Sequence, residues 1–120
     1  MEPEPQKVYI AGPYSGGDWG TNVKNAVLAG DRVWRAGHVP FIPHTMTGLW
    51  SVLSEKSGDE WLEYDLEWLA ECDALIRLPG ESPGAEVEVS FANESGIDVY
   101  HSVDEFLESV GFTTIPRQEL

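Results

Sequence analysis

Cys72-Asp73-Ala74-Leu75-Ile76-Arg77-Leu78-Pro79-Gly80-Glu81-Ser82-Pro83-Gly84-Ala85-Glu86-Val87-Glu88-Val89-Ser90-Phe91-Ala92-Asn93-Glu94-Ser95-Gly96 is the stretch on which the fold turns. Ala74 to Leu78 is a short apolar run with the character of a buried strand. Pro79-Gly80 stops it. Ser82 followed by Pro83 predicts a helix N-cap with proline at the first helical position, and Gly96 supplies the matching C-terminal stop. A strand therefore feeds a tight loop, and the loop feeds a helix. In an open α/β sheet, ligands bind at that corner. Ala85, Val89 and Ala92 form a narrow apolar stripe on the helix, and Glu88 falls on it. A carboxylate on a packing stripe is costly to bury without a purpose, which makes Glu88 the first functional candidate.

The rest of the chain repeats the alternation. Residues 1–6 carry two prolines and two glutamates and predict a loose tail. Lys7 to Ala11 is a first strand, Gly12 to Gly20 a Gly-rich loop, and Asn22 to Ala36 a helix capped by Thr21, its apolar face made of Val23, Ala26, Val27, Gly30, Val33 and Trp34. His38 to Ile42 is a second strand, pushed toward a sheet edge by Pro40. Pro43 to Lys56 shows no clear period. Ser57-Gly58-Asp59-Glu60 is a capping box opening a helix with Trp61, Leu62, Leu66, Trp68 and Leu69. Beyond Gly96, Ile97 to Tyr100 is a fourth strand, and Ser102-Val103-Asp104-Glu105 a second capping box for a last helix stopped by Gly111. This order implies right-handed parallel crossovers and a doubly wound parallel α/β sheet in a single domain, residues 7–112, followed by a tail at 113–120. Four segments then gather on the rim at the carboxyl ends of the strands: Gly12 to Gly20, Pro43 to Lys56, Pro79 to Gly84, and the turn at His101.

At 120 residues the chain suffices for one core. Seven Lys and Arg stand against 21 Asp and Glu, a net charge of −14. That balance argues against a nucleic-acid polymer as partner, since phosphate neutralisation needs a basic face. It leaves room for a single nucleotide held by backbone N–H groups at a helix start. No apolar run is long enough for a bilayer and no signal-peptide pattern opens the chain. One cysteine, Cys72, gives no internal disulfide and no cysteine-based zinc site, in keeping with a reducing cytoplasm. The three histidines lack metal-ligand spacing, so neither a metal nor a cofactor is expected.

Other residues have the right chemistry and the right place. Asp65 lies mid-helix, four positions after Trp61 and three before Trp68, and so shares their face. Glu86 and Glu88 cannot both point inward. Glu86 suits the positive end of the helix, which leaves Glu88 as the inward carboxylate. Trp19 and Trp50 fall in rim loops where an aromatic face could stack on a purine or pyrimidine. Trp34, Trp61 and Trp68 have core spacing. His44 lies on the rim within reach of a substrate, although for each histidine a structural role is the plainer reading.

Tyr9-Ile10-Ala11-Gly12-Pro13, Gly37-His38 through Pro43-His44, Asp65-Leu66-Glu67-Trp68-Leu69 with Cys72-Asp73-Ala74, and Ser82-Pro83-Gly84-Ala85-Glu86-Val87-Glu88 with Ala92 and Gly96 together resemble the nucleoside 2-deoxyribosyltransferase superfamily, which includes the 2'-deoxynucleoside 5'-phosphate N-hydrolases. The likeness spans residues 7 to 100. It implies a flavodoxin/Rossmann-like sheet and chemistry at an N-glycosidic bond of a small-molecule nucleoside or nucleoside 5'-monophosphate. It also implies catalytic roles for Glu88 as nucleophile, Asp65 as helix-borne general acid or base-positioning group, and Tyr9 as first-strand tyrosine. Gly12, Ser15, Gly16, Ser82, Gly84, His44 and Trp50 are the expected substrate-binding residues. Ser82, six positions before Glu88, sits where the hydrolases carry a phosphate-contacting serine. The hydrolases' arginine in the first loop has no counterpart in Pro13-Tyr14-Ser15, so a phosphate would rest on Ser15, the Gly16 and Gly17 N–H groups and the helix start at Ser82.

The chemistry needs these groups. Breaking a C–N glycosidic bond develops positive charge on the sugar and negative charge on the leaving base; an ionised glutamate answers the first and a protonated acid the second. The competing readings are a non-catalytic nucleotide-sensing module on the same fold and a plain interaction domain. Val87 and Phe91, pointing away from the Ala85 stripe, call for cover from a second copy, hence a homodimer or higher assembly.

Overall fold

A computed structural model describes residues 2–113. Four strands, β1 (Lys7–Ala11), β2 (Val39–Phe41), β3 (Ala74–Arg77) and β4 (Asp98–Tyr100), form one all-parallel sheet in the order β2-β1-β3-β4. Five helices alternate with them: α1 (Trp19–Arg35), α2 (Pro43–Trp50), α3 (Gly58–Leu69), α4 (Pro83–Glu94) and α5 (Val103–Val110). The register sets Tyr9 beside Phe41 on one side and Leu75 on the other.

Alternation along the strands divides the core between two layers. Val8 and Ile10 of β1 and Ala74 and Ile76 of β3 pack under α1 and α5, against Ala26, Ala29, Val33, Val103 and Phe106. Tyr9, Ala11 and Leu75 face the opposite way, under α3 and α4, against Leu69, Ala85, Ala92 and Ile97. Helices on both faces make this a doubly wound, flavodoxin/Rossmann-like sheet.

The β3–α4 corner forms as its residues dictate. Gly80 turns the chain at φ +116, a conformation that L side chains rarely adopt. The Ser82 hydroxyl accepts from the Ala85 N–H at 3.1 Å, with Pro83 opening the helix. Arg77, its side chain nearly buried, donates to the Gly80 carbonyl at 2.9 Å and pairs with Glu86 at 2.8 Å, locking the corner. The Ser57–Glu60 capping box is complete in both directions. The second is only half made. Ser102 accepts from the Glu105 N–H, while the Glu105 carboxylate takes the His101 N–H instead of that of Ser102.

Several expectations are corrected. Helix α1 begins three residues earlier than Thr21 as cap would allow. Asp18 is the N-cap residue, and the Thr21 hydroxyl donates to its carboxylate. Its buried stripe takes in Ala29, while Val27 is exposed. The segment without a period contains α2. None of Trp34, Trp61 and Trp68 lies in the buried core; Trp68 is exposed and stacks on Phe41. Phe91 packs against the α3–α4 layer, leaving only Val87 of the pair outward. At the ends, Gln6 is tied to β2 by its carbonyl and donates its N–H to His38, and Thr113 bonds back to Ala36. Of the expected tails, Met1 and residues 114–120 lie outside the described residues.

Candidate active site

A cleft of about 620 Å³ opens at the carboxyl ends of β1 and β3. Its walls come from the loop after β1, from α2 and the segment following it, from α3, and from the start of α4. Three of the four expected rim segments contribute, and the turn at His101 does not. Gly12, Ser15, Gly16, His44, Ser82 and Gly84 line it, as do Asp65 and Glu88.

The Gly-rich loop is fastened from two helices. Asn22 of α1 donates through Nδ2 to the carbonyls of Tyr14 at 2.9 Å and Gly16 at 2.6 Å. His44 of α2 bonds the Pro13 carbonyl through Nε2 at 2.8 Å. A carbonyl only accepts, so Nε2 carries the proton and Nδ1 is left as a buried acceptor without a partner among the described residues. Burial holds the His44 imidazole below its usual range, against the pull of the Pro13 and Gly12 carbonyls. Tyr14 crosses the loop to donate to the Gly48 carbonyl at 2.5 Å. A Cβ at position 48 would lie 2.5 Å from the Tyr14 ring, so glycine permits this approach.

Glu88 is buried on the stripe of α4 beside Ala85 and Ala92. The hydroxyl of Tyr9, on the central strand and fully buried, donates to its Oε2. Burial pushes the Glu88 carboxyl up to about 7, the Asp65 charge adds to this, and the Tyr9 donor and Arg77 oppose it. The phenol of Tyr9 is raised far above its usual value by burial and by Glu88, so it remains a donor. Asp65, half-buried on α3, is pushed up to about 6 by burial. Its Oδ2 lies 3.2 Å from the hydroxyl of Thr47, and its Oδ1 is buried without a partner among the described residues.

The cleft thus brings Glu88 and Asp65 to one space from two helices, with Tyr9 behind Glu88. Trp50 stands elsewhere. It meets Trp61 and Tyr64 edge-on and lines a separate shallow depression, because Trp61 occupies the cleft wall in its place. Trp19 is exposed at the start of α1, edge-on to Tyr14. Sequence reading missed Thr47, Tyr14, Trp61 and Lys56. The Lys56 ammonium lies 5.0 Å from the ring centre of Trp50 and 5.5 Å from that of Trp61. It is the one cation among the described lining residues, which include four carboxyls, Glu55, Asp65, Glu81 and Glu88. No group of three His, Cys, Asp or Glu among the described residues could hold a metal ion, and no helix among them is long and apolar enough to cross a membrane.

Among solved structures, the chain is similar to a 2-deoxyribosyltransferase from the psychrotolerant bacterium Bacillus psychrosaccharolyticus, described as a biocatalyst for the synthesis of nucleosides. The two share 22% identity with a TM-score of 0.59 over 78% of this chain and 69% of that one, a likeness of fold. No curated protein matches the sequence. A family model, a domain of unknown function (DUF7768), matches residues 6–102, and the chain belongs to that family.

Proposed function

We propose that this protein cleaves the N-glycosidic bond of a small nucleoside, passing the sugar to water or to a second base. The observation that carries the reading is the arrival of two carboxyls, buried Glu88 and half-buried Asp65, in one cleft with the Tyr9 hydroxyl on Glu88. In the first step a Glu88 oxygen bonds to the anomeric carbon and the C–N bond breaks. Its electron pair stays on the base nitrogen, which takes the proton of Asp65. In the second step water or an incoming base attacks the anomeric carbon, Glu88 departs as carboxylate, and Asp65 takes back a proton. Both carboxyls titrate near neutrality. Positive charge growing on the sugar draws the ionised form of Glu88, which the Tyr9 donor stabilises. The cleft wall at Trp61 and Leu62 offers apolar surface for a base.

Four carboxyls against one ammonium favour an unphosphorylated nucleoside over its 5'-monophosphate. The likeness to a 2-deoxyribosyltransferase supports the chemistry through the fold alone. The test is incubation with each common deoxynucleoside and its 5'-monophosphate, following free base by chromatography, with and without a second base. Wild type should release base and folded Glu88→Ala should not. Equal release by the two proteins would remove Glu88 from the reaction. Ligand binding without turnover by any member of the panel would favour a sensing module instead.

A further inference from the structure

Thr47 is buried on α2, with its hydroxyl oxygen 3.1 Å from the Pro43 carbonyl and 3.2 Å from Asp65 Oδ2. A hydroxyl has one proton to give and two lone pairs. The Pro43 carbonyl only accepts. An ionised Asp65 also only accepts, so the two compete for a single proton, and both distances are long for an O–H···O bond. A protonated Asp65 removes the conflict: its O–H donates to Thr47, and Thr47 donates to Pro43.

We propose that Thr47 is a positioning residue whose hydroxyl changes acceptor with the proton of Asp65, bonding the Pro43 carbonyl while Asp65 is an acid and turning to Oδ2 once Asp65 is a carboxylate. The proton lost by Asp65 goes to the leaving base nitrogen; Thr47 keeps its own and only rotates. The inference rests on the glycosidic reading for its catalytic meaning. The hydroxyl exchange itself stands on the geometry.

Among the described residues, Thr47 is the one donor to the Asp65 carboxyl. Of the groups around Asp65, Tyr9 from β1 and Glu88 from α4 feel its charge. His44 on α2, and Glu55 and Lys56 between α2 and α3, share the cleft, while Glu63 and Glu67 on its own helix are exposed. The Tyr9 hydroxyl gives its proton to Glu88, and none of the others is a neutral hydroxyl able both to give and to take a hydrogen bond at Oδ2. Thr47 answers the new charge without moving a heavy atom. Its side chain is β-branched and buried, so the oxygen stays in place while its hydrogen swings.

The experiment labels aspartate carboxyl carbons with 13C and titrates them by NMR in wild type, Thr47→Val and Thr47→Ser. Loss of one signal in Asp65→Asn identifies Asp65. In Thr47→Val the carboxylate loses a charge-assisted bond, stronger than the bond lost by the neutral acid. Its proton affinity should therefore rise about tenfold, and Thr47→Ser should restore the wild-type midpoint. An unmoved midpoint in folded Thr47→Val, or a folded Thr47→Ser that titrates like Thr47→Val, overturns the proposal. In the base-release assay, the lower limb, which follows Asp65 because Asp65 titrates below Glu88, should move up with the NMR midpoint, and the pH-independent kcat should fall about tenfold, with little change in KM. A limb that stays put while base is released refutes the role of Thr47 and leaves the glycosidic reading intact. A midpoint that moves in a protein releasing no base refutes the glycosidic reading and supports the hydroxyl exchange.

Discussion

Glu88→Gln should make this protein inactive and, at alkaline pH, more stable. The side chain is only 7% exposed, and burial lifts its carboxyl from the usual 4.5 to about 7. The folded state thus holds a proton that the unfolded chain gives up between those values. Stability is greatest below pH 4.5, falls as pH rises toward 7, and is level above that. Linkage sets the stability lost through Glu88, relative to acid pH, at about 1 kcal/mol at pH 5 and about 3 kcal/mol at pH 8. Glutamine has nearly the same shape, offers Tyr9 an acceptor and never ionises, so the variant escapes this cost. Urea denaturation of both proteins at the two pH values should show its advantage growing by about 2 kcal/mol from pH 5 to pH 8. For a domain of this length that is roughly 10 °C in melting temperature. An advantage equal at the two pH values would refute the account of Glu88 as a buried carboxyl. The gain in stability, set beside the loss of base release, would mark Glu88 as kept for activity at the expense of the fold.

Tyr9→Phe removes the donor on Glu88, a charge-assisted bond of about 2 kcal/mol. Base release should fall on the order of thirtyfold, and the upper limb of its pH profile, which follows Glu88 because Glu88 titrates above Asp65, should move up as Glu88 becomes harder to ionise; an unshifted limb would deny the Tyr9–Glu88 bond a part in the reaction. Ser82→Ala removes the cap of α4 and should cost about 1 kcal/mol in denaturant titration, whereas Ser82→Asp, another good cap, should cost less. Equal losses in the two would mean that Ser82 acts through something other than its bond to the Ala85 N–H.

The β3–α4 corner was legible because its signals are local. Ser82, Pro83, Gly80 and Gly96 each act within a few residues, and the alternation of strand and helix follows from such stops. Helix α2 was not legible, for a physical reason. Its buried face is Pro43, His44, Thr47 and Gly48, at helical spacing, while Met46, Leu49 and Trp50 are exposed. A helix that turns polar and small residues toward a cleft inverts the apolar stripe from which helices are read. Thr47 went unnoticed with it. Asp65 and Glu88 were found because each is a carboxylate on a stripe otherwise apolar. Trp50 was assigned to the cleft on loop position alone, and only the packing of Trp61 beside it decides which of two neighbouring indoles reaches the cavity.

The two carboxyls ride on separate helices, α3 and α4, which pack against each other over one face of the sheet through Leu66, Leu69, Ala85 and Val89. Their separation is therefore written in hydrocarbon. A methylene gained or lost in that seam would widen or narrow the gap between the two acids, with both acids untouched. A tuner of this protein's preferences would do better to work on the silent aliphatic residues behind the acids than on the acids themselves.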